Sequence, residues 1–168
     1  MIEVFLGLGS NLGDSISLVK EALERISSLS GIYDVKSSRL YKTSPVSAQP
    51  QPFFINAVCS FKTILSLEDL HQSLLKIEQA LGKIPKAKDA PRLIDIDILF
   101  YGNTFHRTST LCIPHPRWKE RLFVLLPLLD LCKEMTYPVS RCEQQTILLE
   151  DFLKSFKNIH RERVIPLE

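Results

Sequence analysis

Residues Leu93 to Phe100 read LIDIDILF, with isoleucine and aspartate alternating at the centre, and this run constrains the fold more than any other stretch of the chain. Successive side chains in a strand point to opposite faces. Ile94, Ile96 and Ile98 therefore ask for a dry core on one side, while Asp95 and Asp97 project together from the other. Aspartate is disfavoured in strands, and like charges roughly 7 Å apart along one face repel unless a cation lies between them. A divalent metal is the simplest such cation, because it takes hard oxygen ligands and leaves positions open for phosphate oxygens. Taken alone, the pair fits a half-solvated edge strand equally well. Pro91 and Arg92 precede the strand and set a guanidinium beside the acids.

A chain of 168 residues with 45% hydrophobic content fits one domain, 1–168, in which residues 157–168 form a tail or a junction to a fused domain. The net charge of +2 is too small for a nucleic-acid footprint, although Lys83, Lys86, Lys88 and Arg92 make a local basic run suited to a phosphate-bearing small ligand. The opening MIEVFLGLGS carries Glu3 and runs into a glycine turn, which does not read as a signal peptide. The apolar stretch Phe123 to Leu129 is short and interrupted by Pro127, so no membrane span is expected. Cys59, Cys112, Cys132 and Cys142 form no CxxC pair, which points to reduced thiols and a cytoplasmic setting.

Periodicity places a strand at Ile2 to Leu8, then a glycine turn capped by Asp14 or Ser15 and a helix through Leu18, Ala22, Ile26 and Leu29. Tyr33 to Thr43 reads as a second extended segment and Phe53 to Thr63 as a third strand, whose core face is Phe53, Ile55, Ala57, Cys59 and Phe61. Ser66 and Asp69 form a capping box before a helix ending at Gly82. After the acidic strand comes a turn at Tyr101-Gly102-Asn103, then a hairpin partner from Phe105 to Ile113. Arg117 to Leu129 is expected to be mostly helical, with Pro127 limiting its end, and a further helix is expected around Thr146 to Phe156. The order strand, helix, strand, strand, helix, strand is that of an α+β, ferredoxin-like split βαβ fold: an antiparallel sheet with helices packed on it.

Three constellations could carry chemistry. His115 is held between Pro114 and Pro116, with Arg121 six residues on; together with Arg92 and the two acids these are the parts of a polyphosphate clamp. Phe54 and Phe123 could form a slot for a flat heterocycle whose polar edge Asn56 can pair. GLGSNLG at residues 7 to 13 departs from both the dinucleotide and the phosphate-loop spacing and reads first as a turn that needs glycine.

GLGSNLGD at 7–14, YKTSPV at 41–46, FFINAV at 53–58, IEQALG at 77–82, PRLIDIDILF at 91–100 and PHPRWKERLFVLLPL at 114–128 resemble, in that order, the 6-hydroxymethyl-7,8-dihydropterin pyrophosphokinases of folate biosynthesis. The resemblance implies transfer of pyrophosphate from ATP to the hydroxymethyl group of a reduced pterin, with release of AMP. It implies that Asp95 and Asp97 hold two Mg²⁺ ions, and that Phe54 and Phe123 sandwich the pterin while Asn56 and the backbone near Thr43 and Val46 read its edge. It places Glu78, Ile98, His115 and Arg121 on the ATP side and has Arg92 bridge phosphate and pterin. Fusion to, or association with, dihydropteroate synthase is a further implication. The chain departs from the family pattern between the second helix and Pro91: the segment is one residue short, Lys83 and Pro85 stand where arginines are common, and no tryptophan is present. Leu75 and Thr110 replace a glutamine and an arginine frequent among nucleotide contacts.

Overall fold

The structure, a computed structural model, describes residues 1–45, 50–83, 91–157 and 161–167. The chain runs through β1 (Ile2–Ser10), α1 (Ser15–Ser27), β2 (Ile32–Ser37), β3 (Tyr41–Thr43), β4 (Phe54–Thr63), α2 (Leu67–Ala80) and β5 (Asp95–Tyr101). There follow β6 (His106–Arg107), β7 (Cys112–Ile113), a 3₁₀ turn at Trp118–Glu120, α3 (Leu122–Leu131), β8 (Glu134–Pro138), β9 (Gln144–Leu148), α4 (Leu149–Ser155) and β10 (Val164–Pro166). The main sheet has the order β10-β3-β4-β1-β5, with β2 also paired to β4, and every pairing is antiparallel. That is the split βαβ arrangement, widened by β10.

Local chemistry starts the first two helices. Gly13 turns the chain at φ +72°, where a Cβ would be strained, and the Asp14 carboxylate then accepts from Ser17 N at 3.1 Å. Ser66 Oγ accepts from Asp69 N at the same distance. Both helices press their apolar stripes on one sheet face, where Val19, Ala22, Ile26, Leu70, Leu74 and Ile77 meet Val4, Leu6, Leu8, Ile55, Ile96 and Ile98.

The sequence expectation of one core face for β4 is too narrow. Phe5, Val58, Leu99 and Phe100 point to the other side of the sheet and are buried there under Trp118, Val124, Leu125, Leu128, Tyr137 and Leu149. A sheet covered on both faces explains why β4 is nearly all small or apolar.

Other boundaries differ as well. The segment Tyr33 to Thr43 is two strands, because the chain leaves β4 after Ser37 and rejoins it at Tyr41. Phe105 to Ile113 is not the partner of β5: its two short strands pair with each other, and β5 stays at the sheet edge. Pro127 lies inside α3 rather than at its end; burial of Val124, Leu125, Pro127 and Leu128 holds the helix despite the hydrogen bond the proline cannot make. The first part of the helix expected at Thr146 to Phe156 is β9, hairpinned to β8, and only Leu149–Ser155 is helical. Among the described residues, no helix is long and apolar enough to cross a membrane.

Candidate active site

The face of the sheet toward α3 is covered at one end only. At the other end small residues leave it open. Asp95 pairs across β1 with Gly9, which pairs with Asn56 of β4, which pairs with Tyr41 of β3; the next row carries Asp97, Gly7 and Val58. Alternation puts Asp95, Asp97 and Asn56 on this open face. A Cβ on Gly9 would lie 2.7 Å from Asn56 Oδ1, so only glycine lets the amide lie over the strand.

Cations surround the two acids. Lys83 Nζ lies 2.8 Å from Asp95 Oδ1 and 2.8 Å from Glu78 Oε1, and Arg92 Nη1 pairs with Asp95 Oδ2. The Glu78 carboxylate is buried and also accepts from Ile96 N at 2.7 Å. Burial raises its pKa, and Lys83 and the Ile96 amide only partly offset that. Burial works against the Lys83 ammonium, but the bonds to Asp95 and Glu78 outweigh it and hold the amine above its ordinary value. Asp97 is more open, with its side chain 52% exposed and Arg121 Nη1 at 3.8 Å.

His115 is fixed through its backbone, which donates to Leu99 O at 2.9 Å. Its Nδ1 accepts from Arg117 N at 3.1 Å, which selects the neutral tautomer with a proton on Nε2. Burial lowers the pKa of the ring, with Asp97 acting against that shift. Nε2 lies 3.4 Å from Arg121 Nη1, so two donors face one point near Asp97. Together they suit a phosphate oxygen.

Beside the acids is a heterocycle-sized wall. Asn56 Nδ2 donates to Thr43 Oγ1 at 2.6 Å, and both residues are buried. Phe54, half-buried, pairs with Thr43 at the end of β4. Phe123 begins the cover on the other side, with the Arg121 guanidinium 5.5 Å from its ring centroid. Val46 lies outside the described residues, as do residues 84–90 of the shortened segment.

A cleft of about 250 Å³ runs along the outer edge of β5, lined by Ile96, Asp97, Ile98, His71, His115 and the loop Ser109 to Cys112. Ile96 N points outward to Glu78, so alternation also turns the backbone of Ile98 toward this cleft, where it can pair a purine edge. Sequence reasoning brought out neither Lys83 as the partner of Glu78 and Asp95 nor His71 and Ser109 as lining residues. A lysine after a helix-ending glycine and a loop serine carry no periodic signal.

The donor set fits magnesium. Among the described residues no three His, Cys, Asp or Glu side chains gather as a closed metal cage. Mg²⁺ is commonly held by one or two carboxylates, with waters and substrate phosphates completing its octahedron. Asp95 and Asp97 supply two such carboxylates.

Comparison with known proteins points to one family. The family model described as 7,8-dihydro-6-hydroxymethylpterin-pyrophosphokinase (HPPK) matches residues 5–133. The 2-amino-4-hydroxy-6-hydroxymethyldihydropteridine pyrophosphokinase of Haemophilus influenzae is 36% identical over 84% of this chain and 88% of its own length. That of Aquifex aeolicus is 36% identical over 93% and 96%. The "Folic acid synthesis protein fol1" of Pneumocystis carinii is 44% identical over 82% of this chain, yet the chain spans only 18% of that relative's length. Among solved structures, a Plasmodium falciparum HPPK-DHPS with pteroate superposes with a TM-score of 0.68 at 15% identity, over 92% of this chain and 42% of that one, which is a likeness of fold.

Proposed function

The chain belongs to the 7,8-dihydro-6-hydroxymethylpterin-pyrophosphokinase family, and we propose on that premise that it transfers pyrophosphate from ATP to 6-hydroxymethyl-7,8-dihydropterin and releases AMP. The observation that carries this reading is the single polar strip across the sheet, on which a heterocycle wall (Thr43, Asn56) and a phosphate clamp (Asp95, Asp97) are separated only by a glycine strand.

The substrate hydroxyl attacks the β-phosphorus and gives up its proton to solvent, the bond from that phosphorus to the oxygen bridging the α-phosphate breaks, and AMP leaves with that oxygen. Phe54 and Phe123 stack on the two faces of the pterin, while Asn56, with Thr43 behind it, pairs its polar edge. Arg92 reaches from the Asp95 side toward both phosphate and pterin. Arg121 and the Nε2–H of His115 hold phosphate oxygens, and the backbone of Ile98, with Glu78 bonded to Ile96 N two residues before it, shapes the nucleotide side. Two Mg²⁺ ions held by Asp95 and Asp97 would neutralise the phosphate chain and make the attacking hydroxyl more acidic. Orientation of the two substrates then supplies much of the remaining rate.

Residues 1–168 act as one pyrophosphokinase domain. The four free thiols support a reducing, cytoplasmic setting. The HPPK-DHPS chains of the Plasmodium structures support association with, or fusion to, dihydropteroate synthase.

Incubating the purified chain with ATP, Mg²⁺ and the hydroxymethyl pterin tests the reaction. AMP and pterin pyrophosphate should appear in equal amounts. ADP as the nucleotide product, or AMP without dependence on the pterin, would contradict it.

A further inference from the structure

The three long helices differ in how they begin. Asp14 and Ser66 cap α1 and α2 from within the same turn. The residue at that position in α3 is Arg121, which makes no side-chain capping bond. The missing acceptor comes from far along the chain. Glu162, buried at 6% exposure, accepts from Phe123 N at 3.4 Å and attracts the Arg121 guanidinium. An anion at this point satisfies an otherwise orphaned amide and complements the positive end of the helix.

The segment that delivers Glu162 is sewn to β3 and its flanking residues immediately after that glutamate. Ser44 N donates to Arg163 O, and Arg163 N donates to Ser44 Oγ, both at 2.9 Å. β10 then pairs with β3, Val164 opposite Thr43, and Leu167 N donates to Leu40 O at 2.8 Å. One short stretch, beyond the residues that the family model matches, thus ties the strand carrying Thr43 to the helix start carrying Phe123. These are the two sides of the pterin slot in the function proposed above, on which this inference rests.

We infer that Glu162 is a positioning residue for the pterin: it caps α3 across the slot, fixes the Phe123 backbone, and makes residues 161–167 a working part of the substrate site. The charge and the acceptor can be separated. Glu162→Gln keeps an oxygen for Phe123 N, whereas Glu162→Ala removes it.

Pterin binding to the full chain, measured by fluorescence in the presence of a non-hydrolysable ATP analogue and Mg²⁺, tests this, with Phe123→Ala as the reference. Glu162→Ala should weaken pterin binding about tenfold and raise the pterin KM more than it lowers kcat, and Glu162→Gln should restore binding to within about threefold of the wild type. Wild-type affinity in Glu162→Ala, or equal losses in both variants, would overturn the inference provided Phe123→Ala weakens binding. If Phe123→Ala binds normally, it is the pterin-slot reading that fails. Should Glu162→Ala not fold, amide exchange in the ligand-free wild type decides: Phe123 N–H is protected if Glu162 caps it, and free exchange there overturns the inference.

Discussion

One sheet face carries two regions that share the same strands and have opposite chemistry. At the dry end Phe100 packs edge-on against Trp118 at 4.9 Å between centroids, and Trp118 against Tyr137 at 5.0 Å. Along the same β1 and β5, Gly7, Gly9, Asp95 and Asp97 leave the face open and charged. The change falls at the irregular register between Phe5 and Leu6, where β5 has one residue more than β1. Such an irregularity shifts which residues face which side. It lets Leu99 and Phe100 both contribute to the dry end while Asp95 and Asp97 keep the alternation of the wet one. Stability and chemistry are thereby divided along one strand pair.

Crossed substitutions test that division most severely. Asp97→Ala should lower turnover at least about a hundredfold by removing an electrostatic contact to the reacting phosphates, and its exposure means that the melting temperature should hardly move. Trp118→Ala should do the reverse. Its 4% exposure implies a loss of about 3–5 kcal/mol of stability, with normal kcat for the folded fraction. Calorimetry and initial rates on both variants would break the comparison if each lost the same property.

Gly9→Ala probes the boundary itself. The new Cβ would meet Asn56 Oδ1 at 2.7 Å, and the amide cannot move without losing its bond to Thr43. We expect about 1–3 kcal/mol of destabilisation together with a pterin KM raised more than the ATP KM. Steady-state kinetics with each substrate varied in turn checks this.

A smaller effect sharpens the contrast between structural and functional acids. Asp130 of α3 accepts from Arg39 Nη2 at 2.7 Å and from Tyr41 Oη at 2.9 Å, away from the acid pair. Burial alone would raise its pKa, but these bonds outweigh burial and hold it below the ordinary value, while Tyr41 is pushed up to about 12 mainly by burial. A depressed folded-state pKa stabilises above the unfolded value, and the contribution disappears as pH falls through the folded one. Asp130→Asn should therefore cost about 0.5–1 kcal/mol at neutral pH and almost nothing at pH values well below about 3.9. Urea unfolding across that range reads the difference.

The sequence made legible what is local. The Ile/Asp alternation placed β5, the Ser66–Asp69 box placed the start of α2, and Asp14 placed the start of α1. It could not show β10, because three residues without periodicity find their partner only through Ser44 and Thr43, more than a hundred positions earlier. The second core was hidden for a different reason: Val58 and Phe100 look no different from residues of the first face until the sheet is assembled. Within the proposed site, motif order is what singled out the acids, His115, Arg121 and the aromatic pair. Lys83 stood out as one of a basic run and as a replaced arginine, but not as a partner of Glu78 and Asp95, since that link depends on where α2 ends relative to β5.

The claim that Asp95 and Asp97 grip divalent cations, and through them the triphosphate, is tested most directly by a crystal structure with Mn²⁺, a non-hydrolysable ATP analogue and the pterin. Anomalous peaks bonded to both carboxylates and to phosphate oxygens, with the pterin between Phe54 and Phe123, are the predicted result. Both carboxylates left in water, with the manganese and nucleotide bound elsewhere, would contradict the account.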